Sequence, residues 1–241
     1  MLCLWLCRRF ARVTETEEDT DTIGIYSDAF GVALAILLGL IIVSAWTSYN
    51  QTTNQVRQEA LDIDALYKKS QATDDETKNL LRAELKTYVT DLINLEWPLL
   101  PQGGYSKKVD EDLFQIFKTL VHSKRTNKIE EFIFQELYNT ATNIKEQRSE
   151  YLLNATSSVT PAMWVTLIIS SIIAFFLLAL TTRTRFSLHI LLQFLYALGT
   201  SLMFLLIILL DRPFYQLGGE IDNLPFKNLL SEWEQSEATS N

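Results

Sequence analysis

Apolar positions follow two different patterns along this chain. In three stretches they are nearly continuous: residues 29–46 (AFGVALAILLGLIIVSAW), 162–180 (AMWVTLIISSIIAFFLLAL) and 186–210 (FSLHILLQFLYALGTSLMFLLIILL) contain no Asp, Glu, Lys or Arg. A helix needs about 20 such residues to cross a hydrocarbon core ~30 Å thick, and a soluble helix is rarely apolar on every face. Each stretch therefore predicts a membrane-spanning helix. Only Thr181 to Arg185 separates the second from the third, which makes those two an antiparallel hairpin. The last run stops at Asp211-Arg212-Pro213-Phe214. Two charges end it, and Pro213 lacks an amide donor and disfavours the α region at Arg212.

Between the first and second runs the pattern changes to helical spacing in a polar background. Val56, Ala60, Ile63 and Tyr67 continue the first helix past its apolar part. Leu81, Leu85, Tyr88, Leu92 and Leu95 line a second helix that ends at Pro98, with Thr73 and Glu76 as a capping box. Leu113, Ile116, Phe117 and Leu120 mark a third, and Ile129, Ile133, Leu137, Ile144 and Tyr151 a fourth. No alternating strand pattern of useful length occurs. Roughly 110 residues suffice to bury a core. The predicted fold is an all-α membrane protein with three transmembrane helices, one plus a C-terminal hairpin, and an inserted soluble helical domain. The expected boundaries are an N-terminal tail at 1–23, spans at 24–48, 161–181 and 186–210, an extramembrane helical domain at 49–160 and a C-terminal tail at 211–241. Ser27 or Asp28 is the expected cap of the first span.

Composition narrows the function classes. The 241-residue chain carries a net charge of −8, which argues against nucleic acid as a partner. Its two cysteines, Cys3 and Cys7, build no disulfide framework. Met1 to Cys7 is apolar but too short to span, and the acidic run Glu15 to Asp21 reads as a solvated linker. No pair of carboxylates, nucleophile–base pair or metal cluster is arguable, so the reading is non-enzymatic and without a cofactor. His122 stands alone and receives no role. Arg8, Arg9 and Arg12 before the first span, and Arg183 and Arg185 in the hairpin turn, belong in the cytoplasm by the positive-inside rule. The predicted location is the cell (inner) membrane, multi-pass, with the helical domain on the non-cytoplasmic side.

Three groups of residues carry candidate chemistry. His189, Gln193, Tyr196 and Thr200 share one face of the last span; they either line a pore or make interhelical hydrogen bonds. Gly31, Ala35 and Gly39 form a small-residue face suited to helix packing in a homo-oligomer, with Thr166, Ser170 and Ala174 as a weaker counterpart. Trp46, Tyr49 and Trp164 are expected interfacial anchors. Arg212 is expected to pair with Asp211 or with a carboxylate of the helical domain as a latch, the alternative being simple stop residues beside Pro213. Glu96, before Trp97-Pro98, has the same two readings.

Trp46 and Tyr49, Glu59-Ala60 with Leu66-Tyr67, Glu96-Trp97-Pro98, Pro161 with Trp164, and Leu210-Asp211-Arg212-Pro213-Phe214 occur in a recognisable order. In this ordered set the chain resembles the bestrophin-like domain family of bacterial integral membrane proteins of unknown function. The likeness runs from about Ser27 to Phe226, and the words EWP and LDRPF are its most specific parts. Members of the family usually carry a further span before the basic loop, where this chain has Met1 to Cys7. They also show Ser-Gly after DRPF, where this chain reads Tyr215-Gln216-Leu217-Gly218-Gly219. True bestrophins are oligomeric anion channels with a large cytosolic helical region. The resemblance thus implies a possible small anion as ligand, the lipid bilayer and further copies of the chain as partners, and a cytoplasmic domain, against the arginine placement. Asp222-Asn223-Leu224-Pro225-Phe226 loosely echoes their acidic calcium-binding segment. The alternative is a non-conducting membrane-anchored scaffold acting through its helical domain.

Overall fold

The computed structural model describes residues 17–156, 158–180, 186–215 and 221–240. Among them the secondary structure is helical throughout: α1 (Glu17–Lys69), α2 (Asp75–Asp91), α3 (Lys107–His122), α4 (Lys128–Asn154), α5 (Pro161–Leu180), α6 (Phe186–Asp211) and α7 (Leu224–Ser240). The basic cluster at Arg8 to Arg12, the hairpin turn with Arg183 and Arg185, and Gly218-Gly219 lie outside the described residues. The chain divides into two compact units, one of Met1–Thr47 with Ser158–Asp211 and one of Ser48–Ser157 with Arg212–Asn241.

The first unit holds the apolar runs. Among the described residues three helices are long and apolar enough to cross a membrane, and they coincide with α1, α5 and α6. Their outer faces are covered in exposed Ile, Leu, Phe and Val, such as Val32, Ile36, Leu40, Ile172 and Phe194. Exposure on that scale marks surfaces that meet lipid or other protein and not water. Ser27 and Asp28 are not at a helix start: α1 is already helical from Glu17 on. Residues 17–21, expected as part of a linker, are helical.

The face of α1 that is buried runs through Leu34, Leu38, Ile41 and Ala45. Gly31 is half-buried, whereas Ala35 and Gly39 are exposed. A methyl group added at Gly31 or Gly39 would meet nothing within 4 Å. The small-residue face is therefore left open within the single chain. α5 packs on α6, with Trp164 stacked on Phe204 at 6.1 Å between ring centroids.

The second unit is a helical domain with its own core. The second half of α1 supplies Val56, Ala60, Ile63, Leu66 and Tyr67; α2 supplies Leu81, Leu85, Tyr88 and Val89; α3 and α4 supply Leu113, Ile116, Leu120, Leu137 and Ile144. Tyr49 packs, partly buried, against the same core. The cap of α2 is Asp74, whose carboxylate accepts from the Thr77 amide at 3.0 Å. The expected cap, Thr73, instead donates its hydroxyl to the Ser70 carbonyl at 2.7 Å, because the preceding 3-10 turn, Ser70–Ala72, places that carbonyl within reach.

The segment after Asp211, expected as a tail, is part of this core. Phe214, Ile221, Phe226, Leu229 and Trp233 are all buried in it. Trp233 stacks on Tyr67 at 4.1 Å and 7° and donates its indole N–H to Asp64 at 3.2 Å. Near the end of α7, Glu237 accepts from the Tyr67 hydroxyl at 2.8 Å and pairs with Lys86 at 2.6 Å. Large aromatic side chains bury about 150–250 Å² each, so this segment is a structural member of the domain.

Candidate functional site

The most distinctive chemistry in the helical domain is a cluster of charged and phenolic side chains inside its apolar core. Its geometry starts from a single irregular turn. After α2 the backbone forms a π-helical turn, Leu92–Glu96, and then a 3-10 helix, Trp97–Gln102. A wider turn inserts an extra residue into the helical register. Leu95, expected on the apolar face, is 44% exposed in consequence, and Glu96 is fully buried. Pro98 and Pro101 keep the following backbone in the tight 3-10 form, and Gly103 ends it at φ 69°.

Arg148, from α4, meets the buried carboxylate. Its Nε donates to Glu96 Oε1 at 2.8 Å and its Nη2 to Oε2 at 2.6 Å. This is the parallel two-bond pairing that a planar guanidinium forms best. Nη1 donates to Asp110 of α3 at 2.5 Å, and the Ser106 amide donates to Glu96 Oε2 at 3.0 Å. Burial alone would lower the Arg148 pKa, but its hydrogen bonds to Glu96 carry it above its ordinary value. The π-helical turn and α3 thus both converge on one guanidinium of α4.

Beside this pair lies a second buried carboxyl, Glu59 of α1, with no solvent exposure. Tyr88 of α2 donates its hydroxyl to Glu59 Oε1 at 2.5 Å. Burial pushes the Glu59 carboxyl up to about 8, outweighing the lowering effects of Tyr88, Arg148 and Tyr151. The phenols of Tyr88 and Tyr151 are likewise driven up, mainly by burial.

The two motif words meet in this domain. Trp97 packs edge-on against Phe214 at 5.6 Å and 90°, and against Phe226 at 5.7 Å. Pro213 is buried, Pro98 exposed. The latch expected at Arg212 does not form: the side chain is exposed, makes no ion pair among the described residues, and lies 5.9 Å from the Tyr215 ring. The reason is geometric, since the chain leaves α6 at Arg212 and turns Pro213 and Phe214 inward while Arg212 points to solvent. Asp211, in the first unit, is 4% exposed and accepts from the Val159 amide at 2.8 Å and the Ser158 hydroxyl at 3.0 Å. It fastens the end of α6 to the backbone just before α5.

In the membrane unit, His189, Gln193, Tyr196 and Thr200 are all half-buried on one face of α6. His189 Nε2 and Gln193 Nε2 lie 3.0 Å apart. Thr200 donates to the Tyr196 carbonyl at 2.9 Å. Tyr196 and Thr200 also line a cleft of about 500 Å³ with Ser171, Phe175, Phe176 and Phe204. The stripe is thus brought together in two halves, one self-paired and one facing α5. Asp222 accepts from the Leu224 amide at 3.2 Å at the start of α7.

Sequence reasoning did not single out Arg148, Asp110, Tyr88 or Tyr151 as site residues. A signal existed for the first: Arg148 sits between Ile144 and Tyr151 at helical spacing, a charge placed in an apolar stripe. Glu59 interrupts the Val56–Ile63 stripe in the same way.

The bestrophin-like domain profile matches residues 1–216, nine-tenths of the chain. The chain belongs to the bestrophin-like domain family. Among curated proteins no match is found. A crystal structure of a bacterial bestrophin homologue from Klebsiella pneumoniae superposes with a TM-score of 0.70 at 13% identity, covering 95% of this chain and 97% of that one. Two structures of that homologue with point substitutions give TM-scores of 0.71 at 13% identity and 0.68 at 14%, each again covering 95% of this chain and 97% of that chain. At such identities the likeness concerns the fold. It covers nearly all of this bestrophin-like chain, its membrane helices and its helical domain alike.

Proposed function

We infer that this chain is one subunit of an oligomeric anion channel in the cell (inner) membrane. The observation that carries the reading is membership of the bestrophin-like family together with a bestrophin-homologue fold over 95% of the chain. Three spans do not enclose a pore by themselves, so conduction requires several copies around an axis. The open face at Gly31, Ala35 and Gly39 supplies a surface on which backbones of neighbouring copies approach closely. The role is transport of a small anion and not catalysis. The arginine placement puts the helical domain on the non-cytoplasmic side, and cysteine labelling in intact cells tests it. In a background lacking Cys3 and Cys7, Glu131→Cys on exposed α4 is expected to react with an impermeant reagent and Thr184→Cys in the hairpin turn is not. The reverse pattern puts the domain in the cytoplasm. Conduction is tested by halide flux into liposomes containing the purified chain.

One observation favours a second reading, a non-conducting membrane-anchored scaffold acting through its helical domain. The polar groups of α6 are partly satisfied within their own helix, by the His189–Gln193 and Thr200–Tyr196 contacts, and the apolar runs 29–46, 162–180 and 186–210 carry no Asp, Glu, Lys or Arg to mark an ion path.

A further inference from the structure

We propose that Glu59 is a proton-loaded latch of the helical domain: its carboxyl stays neutral in the folded domain at neutral pH, and losing the proton loosens α1 from α2 and α4. The inference rests on the helical domain alone and not on conduction.

Four features of the cluster carry it. Glu59 has no exposed surface. Its Oε1 takes the Tyr88 hydroxyl, but its Oε2 has no hydrogen-bond partner among the described residues. The only guanidinium in the cluster, Arg148, already gives two donors to Glu96 and one to Asp110. The titratable and charged groups facing Glu59 are Tyr88 from α2, Glu96 from the π-helical turn, and Arg148 and Tyr151 from α4. Of these, the Tyr88 and Tyr151 hydroxyls and the Arg148 guanidinium, itself turned toward Glu96, favour a charge on Glu59 and Glu96 opposes it, but burial outweighs them all. An ionised Glu59 would therefore place a carboxylate in the core with one oxygen lacking a hydrogen-bond partner among the described residues, a costly arrangement for any buried charge. The neutral acid avoids that cost. This agrees with the upward displacement of its pKa to about 8, caused mainly by burial.

The position gives the proton leverage. Glu59 lies where α1 packs into the domain core, among Val56, Ala60 and Ile63. One turn earlier, Gln55 bridges to α4 by donating to Glu150 at 2.7 Å. A new charge at Glu59 acts on the contact of α1 with both α2 and α4.

The direction with pH is fixed by linkage. An unfolded glutamate releases its proton near pH 4.3, whereas folded Glu59 keeps it up to about 8. Between those values only the folded state holds the proton, so folding stability falls as pH rises through this window and levels off above it. Two measurements on the full chain in detergent test the latch. In the first, thermal midpoints of wild type and Glu59→Gln are compared from about pH 5 to about pH 8. The wild type is expected to lose several degrees relative to the variant across that range; parallel curves overturn the proposal. The second needs no variant: carbon-13 NMR of protein labelled at the glutamate carboxyl should show one glutamate titrating near pH 8. Complete titration of all glutamates below about pH 6.5 would overturn it.

Discussion

Arg148 is the residue on which the helical domain most depends, because it supplies the positive charge that pairs with a carboxylate with no access to water. Removing it leaves Glu96 buried and uncompensated, a loss of about 3–5 kcal/mol for a buried pair. Arg148→Ala is accordingly expected to lower the thermal midpoint strongly. Arg148→Lys should recover only part of the loss, because an ammonium lacks the planar fork that binds both Glu96 oxygens. Equal midpoints for wild type and Arg148→Ala would contradict this. Arg212 is the control: exposed, with its guanidinium 5.9 Å from the Tyr215 ring and in no ion pair among the described residues, its change to Ala is expected to cost no more than about 1 kcal/mol. Both residues are arginines near glutamate or aspartate in sequence terms, and sequence alone favoured the wrong one. An exposed cation and a buried one look alike until the helix register is known.

At the scale of elements, the sequence revealed the helices better than their ends. The three spans and four amphipathic segments were legible because charge-free runs and helical spacing survive any packing. The π-helical turn at Leu92–Glu96 was not, since one extra residue leaves the apolar pattern almost unchanged while moving Glu96 to the inside and Leu95 to the outside. The capping side chain of α2 moved by one residue, from Thr73 to Asp74, for the sake of a preceding 3-10 turn. Helix α7 had a readable stripe in Phe226, Leu229 and Trp233, yet its partners lie about 170 residues away, as in the Trp233–Asp64 bond. The loop that aims Glu96 makes its own prediction. Gly103 has φ 69°, and a methyl group there would stand 2.8 Å from Thr156 Cγ2. Gly103→Ala is expected to cost about 1–2 kcal/mol for the left-handed backbone, with a further penalty from the contact. A denaturation midpoint unchanged from wild type would show that the loop relaxes freely.

For the whole molecule, the decisive surface is the one the single chain leaves unused. The first span buries Leu34, Leu38, Ile41 and Ala45, whereas Ala35 and Gly39 are exposed and Gly31 is half-buried. Gly39→Leu should therefore leave the chain folded and hold neighbouring backbones apart, reducing the assembled mass seen by light scattering in mild detergent. An unchanged mass would show that this face meets lipid. Assembly in turn is the condition for a pore, and conduction is the property that separates a channel subunit from an anchored scaffold. Purified, assembled protein in liposomes loaded with a halide-quenched dye is expected to admit iodide or chloride well above the rate of protein-free vesicles. Influx equal to that of empty vesicles, with the oligomer verified in the same preparation, would contradict the channel assignment.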